Sequence, residues 1–276
     1  MPELPEVETI KRVTELQIKD LTIENINVSR PEVIAHPQAH EFINHLTGQR
    51  ISEVERRGKF LIIKLKSKGK IILHLRMTGC LLVTPKNYPL EKHTHVVFKL
   101  SRNKELRFSD TRRFGRFWLI KSGEDDTYSG IAKLGTEPFD KRLTAKYLQE
   151  KFGKRKKTIK ECLLNQGVLA GIGNIYSDEI LFAAKINPKR CADSLNFEEW
   201  ERLAITIPKL LAFFIEKNTV TPEEYLQSKR RDYQNTPFLK VYGKEGKPCP
   251  ICGSILQKSV IGGRSSVFCA KCQGEL

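Results

Sequence analysis

The sequence predicts an α+β fold: a helix-led β-sandwich, then a helical region, then a small metal-bound hairpin. Three observations carry this. From residue 23 to about 120, short β-rich runs recur between turns rich in Gly, Pro, Asn and Lys. From about 143 to 216 the apolar spacing becomes helical. Near the C-terminus, Cys249-x-x-Cys252 and Cys269-x-x-Cys272 stand sixteen residues apart, the ligand spacing of a tetrahedral four-thiolate zinc site.

Composition narrows the partner. Among 276 residues, 48 Lys and Arg against 32 Asp and Glu leave a net charge of +16, which favours a polyanion, and nucleic acid leads. An anionic membrane is the rival, but no apolar run reaches ~18 residues, and the acidic first segment is no signal peptide. A soluble, cytoplasmic protein is expected. Besides the two pairs, Cys80, Cys162 and Cys191 are scattered and are expected to be inert core residues.

The chain opens Met1-Pro2-Glu3-Leu4-Pro5-Glu6. Once Met1 is removed, Pro2 is a free secondary amine; an α-amino group titrates near pH ~8, where a lysine needs strong perturbation from ~10.4. The plainer reading is a helix start, with Pro5 in the first turn beside Glu6 and Glu8. Val7, Ile10, Val13 and Leu16 then predict a helix over 5–19. Strands are predicted at 23–28, 60–65, 70–75, 96–100, 106–109 and 117–120, and helices at 143–152, 158–165, 175–184 and 197–216. A polar crossover over 121–140 places the first boundary near 135, dividing the chain into 1–135, 136–237 and 238–276. Lys154-Arg155-Lys156-Lys157 reads as a solvated basic turn.

Other stretches carry chemistry. Asp110-Thr111-Arg112-Arg113-Phe114-Gly115-Arg116 embeds one aromatic residue in an arginine cluster between two strands. Such a loop suits probing of a base stack, where extruding a nucleotide costs a few kcal/mol and something must fill the gap. Ala170-Gly171-Ile172-Gly173-Asn174 is a glycine-bearing turn that opens a helix, where free amides and the positive dipole end can hold a phosphate. Thr221-Pro222-Glu223-Glu224 reads as a capped helix start. Predicted strands over 255–261 and 265–268 flank Gly262-Gly263, a hairpin tip presenting Arg264.

Taken together, these motifs, with Pro2-Glu3-Leu4-Pro5-Glu6-Val7-Glu8-Thr9, Arg56-Arg57-Gly58-Lys59-Phe60 and His74-Leu75-Arg76-Met77-Thr78-Gly79, resemble the formamidopyrimidine-DNA glycosylase and endonuclease VIII family over nearly the whole chain. The resemblance is nearer the first branch, through Met77, Arg112 and Phe114. It implies a helix-two-turn-helix second domain with a zinc-finger hairpin. It also implies a bifunctional glycosylase and abasic-site lyase acting as a monomer on duplex DNA, with oxidised purines among its substrates. Pro2 would be the nucleophile that forms an iminium at C1′, and Glu3 the acid and base on the deoxyribose. Glu6 and Lys59 would position the substrate. Met77, Arg112 and Phe114 would fill the stack, with His74, Asn174, Tyr242, Lys258 and Arg264 on the backbone. Cys249, Cys252, Cys269 and Cys272 would bind one structural Zn2+. Two other readings are a DNA-binding protein without turnover, against which Pro2, Glu3 and Lys59 argue, and a zinc-ribbon module for RNA, against which Arg112 and Phe114 argue.

One stretch departs from the resemblance. Where many oxoguanine-processing members carry paired glycines and a flexible loop, this chain reads Asn218-Thr219 and then has no glycine through 235. A stiffer loop and weakened selectivity for 8-oxoguanine are the expectation.

Overall fold

Leu4, Val7, Ile10 and Val13 give the first helix one buried stripe, and Pro5 supplies the fixed φ of a first turn, so α1 (Leu4–Ile18) forms where the periodicity places it. The computed structural model describes residues 2–228 and 235–274. After α1 come β1 (Ile23–Val28), β2 (Ile34–His36), α2 (Ala39–Leu46), β3 (Ile51–Arg57), β4 (Phe60–Leu65), β5 (Lys70–His74), β6 (Gly79–Pro85), β7 (Thr94–Leu100), β8 (Lys104–Asp110) and β9 (Arg116–Ile120). They build two sheets, ordered β1-β7-β8-β6 and β2-β9-β5-β4-β3. All neighbours are antiparallel except β2 and β9. Phe117 of one sheet meets Phe108 of the other edge-on at a centroid distance of 5.0 Å and Phe98 at a tilt at 5.9 Å, so aromatic packing closes the sandwich.

The sequence does not mark β2, β3, β6 or α2. β3 reads Ile-Ser-Glu-Val-Glu-Arg-Arg and buries only Ile51 and Val54; its charges suit its place at a sheet edge. β6 also lies at an edge and begins at Gly79, whose backbone is so close to Leu75 that a Cβ would sit 2.2 Å from its carbonyl oxygen. α2 anchors itself with Phe42 and Leu46 alone, one turn apart.

A second unit holds α3 (Ala145–Phe152), α4 (Ile159–Leu163), α5 (Asn174–Ala183) and α6 (Phe197–Lys217) around Phe152, Tyr176, Trp200 and Phe214. α7 (Pro222–Gln227) follows, then the hairpin β10 (Gln257–Ile261) and β11 (Arg264–Phe268), and α8 (Ala270–Gln273). The first unit takes residues up to 133 and, among the described residues, 218–228; the second takes 134–217 and 235–274. Thr221 caps α7 through a reciprocal box with Glu224, as its sequence predicts. α7 joins the sandwich because Tyr225 buries its ring among sandwich side chains, with Val220 and Leu226 beside it. The rest of the unusual loop, 229–234, lies outside the described residues.

The lone cysteines need one correction. Cys80 and Cys162 are buried, and burial pushes the Cys162 thiol up to about 11, as inert core residues require. Cys191 is exposed instead, because it lies just before a 3-10 turn at Ala192–Ser194 and it is Ala192 that enters the core.

Candidate active site and DNA-binding groups

The chain start is a buried pair of carboxylates. Glu3 is 1% and Glu6 2% exposed. The Glu3 amide donates to Glu6 Oε2 at 2.8 Å, and the Glu6 amide returns a bond to the Glu3 side chain, a capping box that fixes both on the first turn of α1. Pro2, immediately before it, is buried as well.

Glu8, one turn on, fastens this helix to the next candidate. Arg56 donates through Nε to Glu8 Oε2 at 2.9 Å and through Nη1 to the Gly58 carbonyl at 3.1 Å. Burial pushes the Glu8 carboxyl up, but the bonds and charges of Arg56 and Arg12 outweigh it and hold the group below its ordinary value. Gly58, at φ +55°, makes the tight β3–β4 turn, and Lys59 follows it, buried at 7% exposure. His74 lies opposite Phe60 in the neighbouring strand, with its Nδ1 accepting the Arg76 amide at 3.0 Å. Burial, with the positive charges of Arg76 and Lys59, pulls its imidazole down to about 3, so His74 is neutral at physiological pH.

Met77, Arg112 and Phe114 are brought together by Asp110. The start of β6 pairs Gly79 with Asp110 at the end of β8, setting the two loops side by side. Asp110 is 1% exposed and accepts the Thr78 hydroxyl, the Arg112 amide at 3.1 Å and the Gly115 amide at 2.8 Å. Gly115 admits no side chain, since a Cβ would lie 2.4 Å from the Phe108 ring. With the backbone so held, Met77 and Phe114 remain 43% and 46% exposed, and the Arg112 guanidinium rests 4.7 Å from the Phe114 ring centroid. Two exposed apolar side chains and a cation thus stand on neighbouring loops fixed from below. Sequence reasoning missed Asp110 as the organiser; its signal is an aspartate immediately before a Thr-Arg-Arg turn.

In the second unit, Asn174 is the first residue of α5, and its Nδ2 donates to the Ser265 carbonyl at 3.0 Å. Ser265 adjoins Arg264, which stands exposed where Gly262 and Gly263, at φ +55° and +73°, turn the hairpin. Beneath them lies a charged network that the sequence did not announce. Lys160, wholly buried, donates to Asp178 Oδ1 at 2.7 Å and to the Ser265 carbonyl at 3.0 Å. Asp178 also accepts the Ser266 hydroxyl at 2.6 Å and the Val267 amide at 3.0 Å. Burial raises the Asp178 carboxyl against the pull of Lys160 and these donors. Its neighbour Glu179 accepts the amides of Lys240, Val241 and Tyr242 at 2.9–3.0 Å, which fixes the turn that precedes the hairpin and Tyr242 with it. Lys258 forms an exposed ion pair with Glu245 at 2.9 Å.

The four cysteine sulfurs lie within 4.8 Å of one another, with Cys249–Cys272 at 3.8 Å and Cys252–Cys269 at 3.5 Å. A tetrahedral zinc with Zn–S bonds of ~2.3 Å separates its sulfurs by about 3.8 Å, so the set fits the ion. Among the described residues, no helix is long and apolar enough to cross a membrane.

Three family models cover most of the chain: the formamidopyrimidine-DNA glycosylase N-terminal domain over 1–117, the H2TH domain of the same enzyme over 134–224, and the zinc finger found in FPG and IleRS over 246–274. Curated formamidopyrimidine-DNA glycosylases of Pelotomaculum thermopropionicum and Bacillus cereus are each 41% identical to it, over 273 and 274 residues and 99% of both chains. The chain belongs to the formamidopyrimidine-DNA glycosylase family. Among solved structures, Lactococcus lactis Fpg in complex with abasic-site DNA matches with a TM-score of 0.88 at 32% identity, covering 99% of this chain and 100% of that one. The same enzyme with DNA containing N7-benzyl-Fapy-dG matches at 0.88 and 33%, with the same coverage. As a member of this family the protein is a DNA glycosylase and abasic-site lyase of base excision repair, and its four cysteines hold one structural zinc.

The neutral, buried His74 makes a pH prediction. Its folded pKa of about 3 lies below the ordinary 6.5, so the unfolded chain takes the proton first. Its contribution is therefore present above pH ~6.5 and is lost as pH falls towards 3, at up to about 1.4 kcal/mol per pH unit. His74→Asn, which keeps an acceptor for the Arg76 amide, should lose less stability than wild type between pH 7 and pH 5 in urea unfolding. Equal losses in the two proteins contradict the assignment.

Proposed function

We propose that this enzyme removes oxidised purines from duplex DNA through an iminium on Pro2 and then cleaves the strand by β- and δ-elimination. The observation that carries the reading is the buried Glu3–Glu6 box beside a chain end that becomes a secondary amine on loss of Met1. The Pro2 nitrogen attacks C1′, the glycosidic bond breaks and the base departs with a proton. Glu3 gives a proton to O4′ as the C1′–O4′ bond opens, which leaves the iminium at C1′, and then serves as a base on the opened deoxyribose. The iminium is cationic as formed, so it acidifies the C2′ protons; loss of one expels the 3′ phosphate, and a further elimination expels the 5′ phosphate. The covalent iminium is itself the electron sink. Glu6 and Lys59 position the sugar and its phosphate, and His74, neutral, donates no charge but orders the loop before Met77.

Met77, Arg112 and Phe114 fill the space left by the extruded nucleotide, with the arginine donating to the orphaned base and the ring wedging between its neighbours. Asn174 and Arg264 share one flanking phosphate; the bond from Asn174 to the residue beside Arg264 supports this. Tyr242 and Lys258 add backbone contacts. In this reading the chain works as three parts, 1–135, 136–237 and 238–276, as a monomer in the bacterial cytoplasm, associated with the nucleoid.

Protein that retains Met1 should have no lyase activity, because an amide nitrogen has no available lone pair. Glu3→Gln should lower base excision by about 10²–10⁴ while duplex binding survives. Mass spectrometry of the N-terminus with cleavage assays on abasic DNA checks both; full-rate cleavage by protein with Met1 intact overturns the mechanism.

The loop after Asn218 bears on the lesion. Asn218 is 1% exposed and its carbonyl accepts the Thr9 hydroxyl at 3.2 Å, which anchors the loop's entry to α1. With α7 capped just beyond, the segment that would close over the base starts from a fixed end, and ring-opened purines and abasic sites should be processed faster than 8-oxoguanine opposite cytosine. Single-turnover rates on the three substrates decide it, and 8-oxoguanine excision as fast as abasic cleavage refutes it.

A further inference from the structure

α6 carries a cavity that the repair chemistry does not use. It is open to solvent and holds about 390 Å³, and its walls include Thr206, Leu210, Phe213 and Phe214 of α6 with Phe238 from the following segment. The rings are locked together: Phe213 meets Phe214 edge-on at 5.3 Å and Phe238 at 5.8 Å, and the Lys217 ammonium lies 5.5 Å from the Phe213 and Phe238 centroids. Phe213 is nonetheless 40% exposed, so a rigid apolar surface faces outward.

Two exposed lysines stand on the rim. Lys209 and Lys240 line the cavity and are exposed, and neither has a carboxylate within ion-pair distance among the described residues. The acidic lining residue, Glu179, is buried and turns its oxygens to the backbone amides of Lys240, Val241 and Tyr242, and it forms no ion pair with either lysine. The position also separates this cavity from Asn174. Ala183 lines it from the last residue of α5, whereas Asn174 is the first, so the length of that helix, about 14 Å at ~1.5 Å per residue, lies between them. Reading a base edge needs donors and acceptors in the walls. Here the walls are mostly rings and aliphatic carbons, with Thr206 the one hydroxyl among them.

We infer that this cavity is a docking site for an acidic peptide segment of a partner protein, with one large apolar side chain seated among Phe213, Phe214 and Phe238 and carboxylates on Lys209 and Lys240. The apolar anchor supplies the contact area, and the two lysines select an acidic segment and steer it in. A glycosylase leaves a product that other proteins must process, and this surface recruits one at the end of α5 remote from Asn174.

The test uses the full-length, zinc-loaded protein and a fluorescein-labelled peptide, Asp-Asp-Asp-Leu-Phe with a free C-terminal carboxylate, followed by fluorescence anisotropy. The inference expects saturable binding with Kd below roughly 100 µM, weakening as salt rises. Replacing the peptide's Phe by Ser should cost at least about tenfold, as should Phe213→Ala or Lys240→Glu in the protein. Both variants should keep the wild-type unfolding midpoint and rate on abasic DNA; should Phe213→Ala fail to fold, Lys240→Glu at an exposed side chain carries the test. Absence of saturation, equal binding of the serine peptide, or displacement of the peptide by duplex DNA overturns it, the last by making the cavity part of a nucleic-acid surface.

Discussion

Two carboxylates share one helical turn at the start of this chain, and the capping box between Glu3 and Glu6 is the constraint on which the site depends. A helix start has unsatisfied amides whatever its sequence, and here each carboxylate accepts the other's backbone N–H instead of meeting water. The same bonds hold the side chains next to Pro2, whose nitrogen becomes the terminal amine once Met1 is lost. In the proposed mechanism, stability and chemistry draw on the same atoms. Glu8 and Arg56 extend the constraint to the β3–β4 turn, on which Lys59 stands.

The second unit solves a different problem, which is to hold an exposed arginine on a hairpin too small for a core of its own. Cys249, Cys252, Cys269 and Cys272 with their zinc close one end of it. The other end rests on Lys160 and Asp178, a buried ion pair that also binds the backbone of Ser265 and Val267. Such a pair gains little net stability over apolar packing, but breaking it leaves an uncompensated charge. Its value here lies in position: two adjacent carboxylates of α5, Asp178 and Glu179, fix the returning strand and the segment before it, and with them Arg264 and Tyr242.

Elements that repeat or stand at fixed spacing were legible in the sequence. The periodicity of α1 and α6, the alternating strands, the capped start at Thr221 and the cysteine pairs are all local signals, and the structure bears them out. Long-range pairing is what hid the rest. β3 is a strand because Arg57 pairs with Phe60 and its neighbours follow, not because its own charged residues favour one. Asp110, Lys160, Asp178 and Glu179 look like surface charges in sequence, since nothing local says that hydroxyls, amides and an opposite charge will meet them in the interior. Cys191 failed for the converse reason: a lone cysteine reads as core, and only the turn at Ala192 shows which residue points inward.

The central claim is that the chemistry begins at the amine of Pro2. Borohydride reduction during turnover of abasic DNA, followed by proteolysis and mass spectrometry of the adduct, tests it directly. The account predicts a stable covalent adduct on the N-terminal peptide, at the Pro2 nitrogen, in protein that has lost Met1. An adduct mapped to a lysine such as Lys59, or strand cleavage with no trapped adduct, contradicts it.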